Sequence, residues 1–137
     1  MPYIHRLTGM KLESLHHAAI ICSDYGRSKR FYTELLGFRV VAENYRAERN
    51  SFKTDLVRDG VCRIELFSFP DPPARLSYPE AAGLRHLAFA VVDMDAAVAE
   101  LDAAGVRHEA VRVDEYTSKR FVFFSDPDGL PLELYEV

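Results

Sequence analysis

Two kinds of hydrophobic pattern follow one another along this chain. Residues 15–23 form a short, apolar and partly β-branched run, which is typical of a buried strand. Asp24 then offers a helix N-cap, and apolar residues at helical spacing predict a helix that ends at Gly37. Three further runs predict strands, the last two joined by the hairpin signal Asp59-Gly60: 38–46, 52–58 and 61–69. The first half therefore predicts a strand, a helix and three strands.

The second half of the chain repeats this order. Residues 84–91 predict a strand, and Asp93 or Asp95 caps a predicted helix that ends at Gly105. The remaining strands are predicted at 106–113, 119–125 and 130–135.

The stretch between the two halves is rich in proline, which removes backbone donors and fixes φ. We interpret it as a linker, or as a loop over a site. The chain is then predicted to be a single domain with these parts: a leader at 1–10, a first module at 12–69, a linker loop at 70–83 and a second module at 84–137.

The spacing of matching residues indicates an internal duplication. His17 and His86 are 69 residues apart, and Glu65 and Glu133 are 68 residues apart. Each module therefore has a histidine in its first predicted strand and a glutamate in its last. The pattern predicts an α+β fold made of two βαβββ modules.

Glu65 stands inside an otherwise apolar strand, where an unpaired carboxylate is costly. If the modules pair about a pseudo-twofold axis, four equivalent positions meet around it: His17, Glu65, His86 and Glu133. Imidazole and carboxylate groups suit Zn²⁺, Ni²⁺, Co²⁺, Mn²⁺ or Fe²⁺. We therefore predict one divalent metal per site, held by these residues, with room for further ligands.

Composition narrows the possible partners and compartment. The chain has 137 residues and a formal net charge of −4, with acids and bases intermixed, so a nucleic-acid partner is not expected. No apolar run approaches the roughly 18 residues that span a bilayer, and the start lacks the apolar core of a signal peptide. We expect a cytoplasmic protein without membrane contacts. Cys22 and Cys62 match no metal spacing and are predicted to be buried free thiols.

The chain closely resembles the vicinal oxygen chelate superfamily, which includes glyoxalase I, fosfomycin-resistance thiol transferases, extradiol dioxygenases and methylmalonyl-CoA epimerase. The resemblance extends from Leu12 to Val137, and it looks most like the small bacterial glyoxalase-I-like proteins. Four segments carry it: LHHAAIICSDYGRSKRFYTELLGF, RIELFSF, GLRHLAFAV and FFSDPDGLPLELYE. It implies the fold shared by glyoxalase, bleomycin-resistance proteins and dihydroxybiphenyl dioxygenase.

The resemblance also implies a metal centre and an activity. The family's ligand positions fall on the four residues already singled out. A set of two histidines and two glutamates resembles that of glyoxalase I, whereas the superfamily's epimerases typically have a glutamine at the position of Glu65. Ni²⁺ or Zn²⁺ are the first metals to consider, and Co²⁺ and Mn²⁺ are alternatives.

The implied reaction is that of a lactoylglutathione lyase-like enzyme that detoxifies methylglyoxal. A divalent-metal-dependent lyase or isomerase of this type converts the thiol hemithioacetal of a 2-oxoaldehyde into a 2-hydroxyacyl thioester through an enediolate. By resemblance and pseudo-symmetry, Glu133 is the main base and Glu65 its counterpart. The resemblance further implies a homodimer, with modules paired within one chain or between swapped chains.

Two positions depart from the glutathione-using members. Where those proteins typically carry an arginine and an asparagine that hold the tripeptide, this chain has Ile21 and Phe69. Apolar side chains cannot replace an arginine fork and an amide. An anion contact from another direction could come from one of five cations: Arg46, Arg49, Arg75, Lys119 or Arg120.

Two alternatives stay open at this point. The first is another metalloenzyme of the superfamily, a thiol transferase or an isomerase that acts on a small metabolite. The second is a non-catalytic protein that sequesters a small molecule, as bleomycin-resistance proteins do. Shared fold and ligands do not determine the substrate.

Overall fold

The chain folds into two four-stranded sheets of the same topology. The structure is a computed structural model that describes residues 9–137, so the leader predicted at 1–10 lies almost wholly outside the described residues. The first module consists of β1 (Ala18–Cys22), α1 (Tyr25–Arg30) continued by a π-helix (Phe31–Leu35), β2 (Arg39–Arg46), a 3-10 turn (Ala47–Arg49), β3 (Ser51–Arg58) and β4 (Cys62–Ser68). The second module consists of β5 (Leu87–Val91), α2 (Met94–Ala103), β6 (Arg112–Val113), β7 (Arg120–Ser125) and β8 (Pro131–Glu136).

The two sheets have equivalent strand orders, β1-β4-β3-β2 and β5-β8-β7-β6. In each sheet the first strand of the module runs parallel to the last, and the other neighbours are antiparallel. The duplication extends to the register, because Ala19 pairs with Glu65 in one sheet and Ala88 pairs with Glu133 in the other. The predicted α+β fold of two βαβββ modules is confirmed.

Short polar signals begin the helices and close the hairpin as predicted. The Asp24 carboxylate accepts a hydrogen bond from the backbone N–H of Arg27, and Asp93, rather than Asp95, caps α2 in the same way. Asp59 and Gly60 both have positive φ, at 53° and 71°, which the tight turn between β3 and β4 requires.

The strands predicted at 15–23 and 84–91 begin only at Ala18 and Leu87, so His17 and His86 precede them, and two further elements differ more. The helix expected to run without a break to Gly37 widens into a π-helix after Arg30, and this brings the adjacent side chains Phe31 and Tyr32 against the core. The strand expected at 106–113 shrinks to two residues, preceded by one isolated bridge at His108. Charged or polar residues interrupt both of its faces and most of its side chains are exposed, so little apolar burial favours a longer strand.

The two modules share one hydrophobic core. Alternate residues of each sheet, such as Leu66 in β4 and Leu132 in β8, are fully buried in that core together with residues from the helices. We call this side of each sheet the helix face and the opposite side the open face. Because both helix faces contribute to the shared core, the two open faces point away from it. Glu65 and Glu133 lie on these open faces.

Tyr32 joins the modules within the core. Its side chain is fully buried, and its hydroxyl donates a hydrogen bond of 2.7 Å to Oδ2 of Asp126, in the turn before β8. Burial, reinforced by the Asp126 charge, raises the pKa of Tyr32 far above its ordinary value. The hydroxyl therefore remains protonated, and a donor, at neutral pH.

We expect Tyr32→Phe to lower the free energy of unfolding by about 1.5–3 kcal/mol, because the buried Asp126 carboxylate loses a charge-assisted hydrogen bond. Denaturant titration measures this loss. Tyr45→Phe is the matched control, since Tyr45 is 52% exposed and its effect should stay within about 0.5 kcal/mol. Equal losses in the two variants would contradict the role given to the Tyr32–Asp126 contact.

Both cysteines are free, as predicted, although only one is fully buried. Cys22 lies in the core, and burial, with a smaller effect of the Asp128 charge, raises its thiol pKa to about 11. Cys62 is half-buried at the start of β4. Within residues 9–137, no helix is long and apolar enough to cross a membrane.

Candidate metal centre

The predicted ligands form two histidine–glutamate pairs, one on each open face. His17 lies one residue before β1, and its Nε2 is 3.4 Å from Oε2 of Glu65 in β4. His86 lies one residue before β5, and its Nε2 is 3.3 Å from Oε1 of Glu133 in β8. Parallel pairing of the first and last strands of each module creates both contacts. The duplication thus extends from the sequence to the geometry of these side chains.

The spacing within each pair fits two ligands of one ion. Both distances are longer than an ordinary hydrogen bond between nitrogen and oxygen. Donor atoms about 2.0–2.2 Å from a shared metal, at angles between octahedral and tetrahedral, lie about 2.8–3.6 Å apart. The donor atoms, imidazole nitrogen and carboxylate oxygen, are ligands that Zn²⁺, Ni²⁺ and similar divalent ions accept. The residues present therefore fit a divalent metal.

One chain does not bring the two pairs together. Among residues 9–137, no group of three or more His, Cys, Asp or Glu side chains is arranged to hold a single metal ion. The open faces lie on opposite sides of the shared core, which explains the separation. The predicted set of four ligands is therefore present as two half-sites, and a complete site needs a second source of the missing pair.

The two half-sites differ in their neighbours. Asp55 is paired across the strands with Glu65, and the ammonium of Lys53 lies 3.2 Å from Asp55 and 3.7 Å from Glu65. At the equivalent position of the second module, Phe123 is paired with Glu133. One glutamate is thus held in a charged cluster, while the other lies beside an aromatic ring.

The other nitrogens of the two imidazoles also have neighbours. Nδ1 of His17 lies 2.9 Å from Nδ1 of His16, so a proton on either nitrogen can be shared between them. Nδ1 of His86 lies 3.1 Å from Nη1 of Arg85, which is always a donor. A metal-bound Nε2 requires a protonated Nδ1, so the Arg85 contact would have to open for His86 to bind a metal. Arg85 is an exposed side chain paired with Glu80, so moving its guanidinium away from His86 costs little free energy.

The positions that depart from the glutathione-using pattern lie close to the first half-site. Ile21 is 55% exposed on β1. Phe69 follows β4 and stacks in parallel with Phe67, with 6.2 Å between the ring centroids. The Arg46 guanidinium lies over both rings, at 5.2 Å from the Phe67 centroid and 5.7 Å from that of Phe69.

The other candidate cations have different surroundings. Arg75 donates to the carbonyl oxygens of Leu84 and Arg85, and thereby fastens the linker to the start of the second module. Arg120 is paired with Glu136 and Asp95, and its hydrogen bond to Glu136 raises its pKa further. Arg49 and Lys119 are exposed side chains.

A cleft of about 860 Å³ adjoins the second half-site. It lies between the linker and the second sheet, and Phe123, which contacts the His86 ring edge-to-face, forms part of its wall. Several arginines also line it: Arg75, Arg85, Arg107 and Arg112. The cleft thus reaches the half-site through its neighbours Phe123 and Arg85, while His86 and Glu133 do not line it.

Three neighbours of the half-sites, Lys53, Asp55 and Phe123, were not predicted from the sequence. The Asp59-Gly60 signal predicts a two-residue turn, and counting back from it would pair Thr54 with Glu65. The observed loop has three residues, because Arg58 pairs with Cys62, and this places Asp55 beside Glu65. The 68-residue repeat then carries the same position to Phe123. The contact between Lys53 and Glu65 depends on side-chain conformation and had no signal in the sequence.

Comparison with known proteins identifies the family. A sequence model of the Glyoxalase/Bleomycin resistance protein/Dioxygenase superfamily matches residues 14–134. The chain belongs to this superfamily. The resemblance to vicinal oxygen chelate proteins noted in the sequence is thereby confirmed.

Some relatives are similar in sequence to this chain along almost their whole length. It is 61% identical to the uncharacterized protein YwkD of Bacillus subtilis (strain 168), over 93% of this chain and 99% of that protein. The crystal structure of a glyoxalase family protein from Enterococcus faecalis has a TM-score of 0.87 at 49% identity, and covers 93% of this chain and 100% of its own. A 2-epi-5-epi-valiolone epimerase from Actinomyces sp is 29% identical over 88% of this chain and 78% of that enzyme.

Proposed function

We propose that the protein is a divalent-metal-dependent lyase or isomerase of glyoxalase I type. It would convert the thiol hemithioacetal of a methylglyoxal-like 2-oxoaldehyde into a 2-hydroxyacyl thioester. The observation that carries this proposal is the pair of equivalent His–Glu contacts, at 3.4 Å and 3.3 Å, on the two open faces. Superfamily membership supports it, because the superfamily contains enzymes of related chemistry.

The complete site is proposed to form between two copies of the chain. His17 and Glu65 of one copy would face His86 and Glu133 of the second, because neither pair finds the other within its own chain. A twofold axis would create two such sites in a homodimer. Half-buried aromatic side chains on both open faces, among them Phe67 and Phe123, supply apolar surface for this contact.

The surroundings of the two glutamates support a division of roles. A bound divalent ion would stabilise negative charge that develops on two neighbouring oxygens of the substrate. Lys53 contacts Glu65 and holds it in its cluster, whereas Glu133 has only His86 within ion-pair distance among residues 9–137. Glu133 is therefore the glutamate freer to move, and we assign it the proton transfer between adjacent carbons, with Glu65 as its counterpart.

Metal loading followed by assay tests this proposal directly. After loading with Ni²⁺ or Zn²⁺, elemental analysis should find about one metal ion per chain, and a chelator should remove both metal and turnover. Methylglyoxal is then supplied with glutathione and with smaller thiols, using Co²⁺ and Mn²⁺ as further metals. Metal content near zero after loading would contradict the enzyme proposal and favour the sequestering alternative.

A second candidate is a metal-dependent isomerase or epimerase that acts on an enolisable metabolite without any thiol. Ile21 and Phe69 favour it, because they remove the polar groups expected for glutathione, and one relative is an epimerase. Proton exchange at carbon in deuterated water distinguishes the two candidates. Exchange into a free 2-oxo metabolite, with no thioester formed from any thiol, would select the isomerase.

A further inference from the structure

One cation on the first open face lacks a charged partner. Arg46, at the end of β2, is partly buried, and its guanidinium forms no ion pair with a carboxylate among residues 9–137. Of its five N–H groups, one on Nη2 donates to Oγ of Ser51 over 2.9 Å, while the Nε–H is shielded and has no acceptor within the described part of the chain. A cation in such surroundings favours an anion.

The aromatic rings beneath Arg46 fix the orientation of its guanidinium. Phe67 and Phe69 stack in parallel with an interplanar angle of 5°, and the guanidinium lies above both. Stacking holds the planar group in place. Because Nε is shielded and one N–H of Nη2 donates to Ser51, an anion would approach the edge formed by Nη1 and the second N–H of Nη2. Phe69 occupies the position where glutathione-using members of the superfamily have an asparagine. Its ring supports a different anion-binding group, the guanidinium of Arg46.

The duplicated module offers an internal contrast. Arg112 of the second module also lies over two rings of its open face, those of Phe121 and Phe123. Its guanidinium, however, is paired with Glu109 at 3.0 Å. The rings are not equivalent in the two modules, since Phe121 and Phe123 lie on β7, the counterpart of β3. Of these two arginines over phenylalanine rings, only Arg46 lacks a carboxylate partner among residues 9–137.

Arg46 lies within reach of a substrate bound beside Glu65. Phe67 is two residues from Glu65 on the same face of β4, and two residues of a strand span about 7 Å. Between these positions lies the ammonium of Lys53, which adds positive charge on the same face. A short chain could connect a metal-binding group at Glu65 to an anion at Arg46.

We propose that Arg46 binds a carboxylate, or a similar anionic group, at the far end of the substrate. The protein would then act on small 2-oxo compounds or thiol adducts that carry a negative charge a few bonds from the reacting carbons. This inference rests on the proposed metal site and specifies the substrate class for it.

The test uses two matched probes that bind a metal through neighbouring oxygens. One is a series of alkyl hydroxamates, and the other is the series of equal length that ends in a carboxylate, with about two to five methylene groups to span the distance. Calorimetric titration of the Ni²⁺-loaded protein should show that the best carboxylate probe binds about tenfold to a hundredfold more tightly than its alkyl partner. Arg46→Met should abolish this preference and leave alkyl hydroxamate affinity unchanged.

Two variants make the result specific to Arg46. Arg49→Met removes an exposed arginine three residues away and should retain the preference. Arg46→Lys keeps the charge but loses the planar fork, so it should retain only part of the preference. Absence of the preference in the wild type, or its persistence in Arg46→Met, overturns the inference while leaving the metal site intact.

Two further outcomes are decisive. If neither probe series binds the metal-loaded protein, the proposed function itself fails, and the role of Arg46 fails with it. If Arg46→Met dissociates the dimer on size-exclusion chromatography and the wild type shows no carboxylate preference, Arg46 contacts the second copy instead of the substrate.

Discussion

Replacing Glu133 by glutamine is expected to lower the turnover number by about 10²–10⁴-fold while leaving the metal content unchanged. Glutamine has nearly the same shape and retains an oxygen that can contact a metal, but its amide cannot accept a proton from carbon at neutral pH. Glu133 lies beside Phe123 and has no cation other than His86 at ion-pair distance among residues 9–137, so little besides its own charge is changed.

The measurement compares turnover with metal stoichiometry in the same samples. Glu136→Gln is the matched control, because Glu136 lies on the same strand, faces the other way and is paired with Arg120. It should retain nearly full turnover. A Glu133→Gln protein that keeps its metal and its full activity would remove Glu133 from the proton transfer and leave Glu65 as the remaining candidate.

The second large effect is expected when two inactive variants are mixed. Glu65→Gln damages the half-site of the first module, and Glu133→Gln damages that of the second. If each site combines half-sites from two copies, a mixed dimer contains one site with both changes and one site with neither. Random exchange of subunits should then restore about a quarter of the wild-type activity, since half of the dimers are mixed and each has one intact site.

The control for this experiment is the mixture prepared without subunit exchange. Exchange can be driven by mild denaturation and refolding of the two variants together, and the mixed species can be isolated with two different affinity tags. An intact site cannot arise from these variants if all four ligands come from one chain, because every chain then carries a damaged residue. A mixed dimer as inactive as its parents would therefore refute the shared site.

Much of the fold could be predicted from the sequence because local and repeated signals agreed. The caps Asp24 and Asp93, together with the Asp59-Gly60 turn, set element boundaries through hydrogen bonds and positive φ that few other residues provide. The π-helix after Arg30 had no such signal. It depends on packing of Phe31 and Tyr32 against the other module, a long-range effect that helical periodicity does not include.

The candidate site could be predicted only in part. Matched offsets identified His17 with Glu65 and His86 with Glu133, and the structure places each histidine beside its glutamate. How the two modules pack is decided by which sheet faces share a core, and periodicity of two does not distinguish those faces when both are partly apolar. The separation of the half-sites could therefore not be read from spacing. The position of Arg46 over two rings likewise depends on side-chain conformation.

The shared core has a consequence for how the protein matures. Because that core is built from residues of one chain and includes none of the four predicted ligands, we expect a newly synthesised chain to fold without metal and without a second copy. Under the proposed arrangement it then carries two incomplete sites, and metal acquisition follows an encounter whose rate increases with the square of protein concentration. Expression level would thus act as a threshold: below it the cell holds folded but inert chains, and above it the same chains become metal-loaded catalysts.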